Sequence, residues 1–65
     1  MTTDQLLTPD QVSARLQVPA ATLSRWRYMR EGPRYVRCGR HVRYPPEEVE
    51  AYIRAQLKAA SHDMR

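Results

Sequence analysis

Sixty-five residues make a single small domain, of a size that buries only about 60% of its unfolded surface and so needs a compact core. One cysteine, Cys38, excludes an intramolecular disulfide, and with only two histidines beside it no structural zinc site is expected. A formal net charge of +4 and a pI near 9.8 favour a polyanionic partner. The N-terminus does not resemble a signal peptide, and no apolar run approaches the roughly 20 residues that span a bilayer. The expectation is a soluble protein of a reducing cytoplasm, with no cofactor, metal, membrane or small-molecule substrate.

The distribution of charge says more than its total. Arg25, Arg27, Arg30, Arg34, Arg37, Arg40 and Arg43 face only Glu31 within their span, a net of +6 that leaves −2 for the rest of the chain. Ten of the eleven basic residues are arginine, whose planar fork suits phosphate oxygens and the guanine edge. A solvated charged face is the plain alternative.

Residues 1–6 are polar for the most part and expected to be flexible; the domain is expected over 7–60. Leu7-Thr8-Pro9-Asp10-Gln11-Val12 reads as a helix start. Thr8 suits the N-cap, Pro9 the first helical position, and Gln11 the return bond of a capping box. Leu7 and Val12 stand at the two positions of a hydrophobic staple. This first helix should run from about Pro9 to Leu16, burying Val12 and Leu16.

Pro19 disfavours a helical Val18 and ends that element. A second helix can begin at or just after Pro19. With Leu23 facing inward, a 100° step brings Ala20, Trp26, Arg27 and Arg30 to the same side and leaves Ala21, Ser24, Arg25 and Tyr28 opposite. Two short helices three residues apart, the second with a polar outer face, describe a helix-turn-helix. Leu23 and Trp26 read as core. Arg27 lies at the core margin, either snorkelling or reading a base.

Gly32 suits the C′ position of this helix and Pro33 prevents its continuation. Tyr35-Val36-Arg37 and Val42-Arg43-Tyr44 are short and β-prone, flanking a four-residue connection, Cys38-Gly39-Arg40-His41, in which Gly39 can take positive φ. Tyr35 and Tyr44 read as hairpin packing residues, and Cys38 as a small hairpin residue rather than a redox switch. Such a ribbon must lean on the helices, so its tip projects, and an arginine there suits a narrow minor groove.

Pro45-Pro46-Glu47-Glu48 opens a third helix, with acidic residues complementing its positive end. Val49, Tyr52, Ile53 and Leu57 form an amphipathic stripe that closes the core. After about Ala60 the segment 61–65 reads as a disordered tail. The expected fold is mainly α with a small β-hairpin: a winged helix-turn-helix of three helices with a two-stranded wing between helices 2 and 3.

The motifs T-L-x-R-W-R (Thr22–Arg27), G-P (Gly32–Pro33), V-R-C-G-R-x-V-R-Y (Val36–Tyr44) and V-E-A-Y-I (Val49–Ile53) are each weak alone. In this order and spacing the chain resembles, from about Leu6 to Leu57, the small excisionase-type helix-turn-helix family, relatives of the winged-helix domain of MerR-like regulators. Two departures stand out: Pro19 replaces a usual serine cap, and Pro45-Pro46 a more polar start to the last helix. The resemblance implies a phage or mobile-element recombination directionality factor that binds repeated sites in duplex DNA, bends them and directs a tyrosine integrase toward excision. It implies DNA contacts from Ser24, Arg25 and Tyr28 of the second helix, and from Arg37, Arg40 and His41 of the wing. Ala21 and Thr22 flank the first set, and Arg34 and Arg43 the second. The long dimerisation helix of a MerR-like regulator is not expected here. A small module offers roughly 600–1,000 Å² of contact, so neighbouring copies on adjacent sites are expected to supply affinity.

Other functions remain in view. The chain holds no phosphate-binding glycine loop, paired acids or Cys/His cluster, so an enzyme is not expected. An RNA module should expose stacking aromatics, and here they fall mostly at core-like positions. A transcriptional regulator of the same winged-helix family, and a protein-bridging role on an integrase, are the closer alternatives.

Overall fold

A computed structural model describes residues 5–63, with side chains as far as residue 60. Three helices and one hairpin follow in the order α1 (Pro9–Leu16), α2 (Ala20–Met29), β1 (Val36–Cys38), β2 (His41–Arg43) and α3 (Pro46–Asp63). This is the winged helix-turn-helix arrangement expected, with an antiparallel ribbon between the second and third helices. Residues 1–4 of the expected flexible N-terminus lie outside the described residues; Gln5 and Leu6 are exposed.

Both bonds of the α1 capping box form. The Gln11 backbone N–H donates to Thr8 Oγ1 at 3.1 Å, and the Thr8 backbone N–H donates to Gln11 Oε1 at 2.9 Å. Pro9 takes the first helical position, where its missing N–H leaves no intrahelical bond unmade. The helix ends because Gln17 turns left-handed, at φ 59°, with its N–H on the Ser13 carbonyl. The Ser13 hydroxyl then donates to the Val18 carbonyl. Thus the turn to α2 is closed by local hydrogen bonds before Pro19 is reached. Pro19 gives α2 no side-chain cap, so burial of Leu23 rather than its own terminus must stabilise that helix.

Val12, Leu23, Tyr44 and Val49 form the fully buried centre, one from each helix and one from the end of the hairpin. Leu7, Leu16, Val18, Trp26, Tyr35, Val42 and Ile53 pack around it, half-buried. Tyr44, expected only to pack within the hairpin, is instead among the largest fully buried side chains, at 1% exposure. Its backbone exchanges two 2.8 Å hydrogen bonds with Leu7, which ties the segment before α1 to the base of the wing. An exposed Arg15–Glu50 ion pair joins α1 to α3; such pairs contribute about 0–1 kcal/mol.

Two expectations for α3 need correction. Leu57 is not core: it is 65% exposed, because the helix has passed the body of the domain by its last turns. Together with Leu16, Val18, Trp26, Tyr52 and Ile53 it edges a shallow apolar groove. The tail expected to be disordered over 61–65 is helical in its backbone as far as Asp63. Ala59 and Ala60 are strong helix formers and no glycine or proline follows. Residues 64–65 lie outside the described residues. No helix among the described residues is long and apolar enough to cross a membrane.

Candidate nucleic-acid interface

The outer face of α2 is built as its periodicity requires. Ala21, Ser24, Arg25 and Tyr28 are all exposed, Tyr28 at 88%, and their spacing of three and four residues keeps them on one side of the helix. Thr22 is half-buried and stands at the flank of this face. Ala20 and Arg30, expected on the inner side with Leu23, are exposed, since the core reaches only the middle of the helix.

The end of α2 differs from expectation. Arg30, not glycine, is the left-handed residue that caps the helix, at φ 60°. Its N–H and that of Glu31 both reach the Trp26 carbonyl, the latter at 2.7 Å. Gly32, at φ +81°, has another function: a Cβ there would lie 2.6 Å from Trp26 Cε3. The backbone turns toward the wing by passing directly over the indole, and only glycine permits that approach. Pro33 beside it is buried.

The wing is tighter than a four-residue connection. Cys38 pairs with His41, Arg37 with Val42 and Val36 with Arg43, which leaves Gly39 and Arg40 alone in the turn. Gly39 has φ +66° and Arg40 does not share the positive sign, the φ pattern of a type II′ hairpin. Arg40 is therefore at the tip, and Cys38 and His41 belong to the strands.

This register sorts the basic residues. Side chains alternate across a strand and paired residues share a face. Arg37 and Val42 lie on the face that continues into Tyr35 and Tyr44, whereas Val36, Cys38, His41 and Arg43 lie on the other. The first face looks toward α2: Ser24, Arg27, Tyr28, Tyr35, Arg37 and Val42 line one groove of about 290 Å³. Ser24 and Tyr28 of the helix thus share one groove with Arg37 of the wing. His41 and Arg43 are not brought to this groove, and the Arg43 guanidinium donates to the Val42 carbonyl at 2.7 Å. Arg34 lines a separate groove with Arg27 and Arg30 below the end of α2.

Arg27 is neither loose nor on the outer face. Its Nη1 donates to the Tyr44 hydroxyl at 2.9 Å, and its guanidinium lies 5.9 Å from the centre of the Tyr35 ring. Among the described residues the single ion pair is Arg15–Glu50, so none of the arginines from Arg25 to Arg43 pairs with a carboxylate of the described residues. An anionic surface meeting α2 and the wing would find exposed Arg25, Arg37 and Arg40 on two elements held at one angle. That is chemistry suited to phosphates and to the edges of bases.

Residues 6–57 match the family model of a helix-turn-helix domain. Comparison with curated proteins and with solved structures gave no match.

Proposed function

The chain belongs to the helix-turn-helix domain family, and we propose that within it this protein is a sequence-specific architectural DNA-binding protein of the excisionase type. Family membership supports binding to double-stranded DNA. What carries the finer reading is the groove that joins Ser24 and Tyr28 of α2 to Arg37 of the wing, together with the motif order from Thr22 to Ile53. In this reading α2 enters the major groove, while the wing tip at Arg40 follows the backbone into the adjacent minor groove. Copies bound side by side on repeated sites bend the duplex and direct a tyrosine integrase toward excision. The second reading, a small transcriptional regulator, uses the same surface on a single site.

The division of labour follows from side-chain chemistry. Arg25 is suited to a bidentate contact with guanine O6 and N7, worth on the order of 1–3 kcal/mol of discrimination. Ser24 and Tyr28 suit phosphates or an adaptable base contact. Arg37 and Arg40, with Arg34 and Arg43 at the flanks, neutralise phosphates. With about four phosphates neutralised, log K falls against log salt with a slope near −3.6. Arg25→Ala is expected to narrow the gap between cognate and random duplex. Arg37→Ala is expected to weaken both alike and to flatten the salt slope by about one unit. Equilibrium binding of the two variants to both duplexes across a salt series tests this; equal losses on both duplexes for Arg25→Ala would remove Arg25 from the reading role.

A further inference from the structure

We propose that Arg27 and Tyr44 form a strut that sets the angle between α2 and the wing, making both positioning residues for duplex recognition; the proposal rests on the DNA-binding reading above. A two-stranded ribbon is not stable by itself, and the connection from Met29 to Val36 contains two positive-φ residues, Arg30 and Gly32. Something else must orient the wing. Tyr44 is anchored to the body at its backbone, by two hydrogen bonds to Leu7, and its ring is buried at 1% exposure. The one polar atom of that ring accepts the Arg27 Nη1 proton at 2.9 Å. The same guanidinium lies over Tyr35, whose ring centre is 6.0 Å from that of Tyr44.

Arg27 therefore spans from α2 to both residues at the base of the hairpin, in the lining of the groove that Ser24 and Tyr28 share with Arg37. A charge-assisted hydrogen bond and a cation–π contact fix direction better than apolar packing alone. Two contact surfaces held in register act as one, because the second binds at the effective concentration set by the first. Releasing the strut leaves every DNA-facing side chain in place but lets the wing swing, so affinity falls through lost preorganisation.

Tyr44→Phe removes the hydroxyl and keeps the ring, and leaves the charge unchanged. Binding to a cognate duplex is measured for the full chain, for Tyr44→Phe, for Arg37→Ala and for the double variant, with a thermal melt of each. The expected result is a folded Tyr44→Phe protein that binds about tenfold more weakly, with a salt slope flattened by only part of the one unit that Arg37 supplies. Arg37→Ala should then cost markedly less in the Tyr44→Phe background than in the parent, since a swinging wing has already lost part of that contact. A purely stabilising hydroxyl would move the melt and leave this coupling at zero. Wild-type affinity in folded Tyr44→Phe, or additive losses in the double variant, overturns the strut. Should Tyr44→Phe melt below the assay temperature, Arg27→Met takes its place in the same cycle. A flattening of less than one unit is expected there too, and a slope flattened by more than one unit would make Arg27 a phosphate contact in its own right and overturn the proposal. If the parent protein itself binds no duplex, the DNA-binding reading fails and the strut's function with it; that outcome is distinct from a binding parent with an indifferent Tyr44→Phe.

Discussion

Leu23→Ala is expected to leave most molecules unfolded at room temperature. Leu23 is completely buried and sits in the centre formed with Val12, Tyr44 and Val49. Truncating a leucine in such a place costs about 2–5 kcal/mol through lost transfer energy and the cavity left behind. A core of this size supplies on the order of 3–5 kcal/mol in total, so the single change consumes the stability available. The loss falls on α2 in particular, since Pro19 offers it no side-chain cap and its helical state depends on Leu23. Circular dichroism during a thermal melt reads the outcome directly. Leu57→Ala is the control: at 65% exposure it is expected to change stability by no more than about 0.5 kcal/mol.

Gly32→Ala is expected to destabilise the domain by about 2–4 kcal/mol, from two separate sources. A side chain at φ +81° is strained by roughly 1 kcal/mol. Its Cβ, 2.6 Å from Trp26 Cε3, also forces the indole or the loop to move, and overpacking of this kind costs about 1–3 kcal/mol. The indole also packs against Tyr52, with ring centres 5.7 Å apart, which limits its freedom to yield. Gly39 supplies the comparison. It too has positive φ, but a Cβ there would meet nothing within 4 Å, so Gly39→Ala bears the backbone strain alone. Urea titrations of the two variants should rank Gly32→Ala well below Gly39→Ala; equal midpoints would mean that the approach to Trp26 is slack.

The helices were legible in the sequence because their signals are local. Thr8, Pro9 and Gln11 specify the start of α1 within four residues, and Val12, Leu23 and Val49 declare themselves by periodicity. The outer face of α2 follows from the same 100° step once Leu23 is set inward. What the sequence concealed depends on partners distant along the chain. Tyr44 is buried because Leu7 pairs with it and Arg27 meets its hydroxyl, and neither contact leaves a local pattern. Gly32 looked like a helix cap, yet its requirement comes from Trp26, whose ring position no spacing rule supplies. The wing is legible from Tyr35 to Tyr44, and its alternation already separates Arg37 from Arg43; the narrower two-residue turn adds Cys38 and His41 to the strands and so places His41 on the face opposite Arg37. Composition alone counts those residues as one basic cluster. Leu57 shows the opposite failure, in which a perfect amphipathic stripe outruns the body it was expected to cover.

The most direct test of the central claim is a gel-shift titration on the duplex flanking the protein's own gene. It uses excess random DNA as competitor and probes of several lengths. Recognition by α2 and the wing, with copies loading side by side, predicts a cooperative ladder of evenly stepped, slowed complexes that survives the competitor and gains rungs with probe length. The absence of any shift that withstands competitor DNA would contradict it.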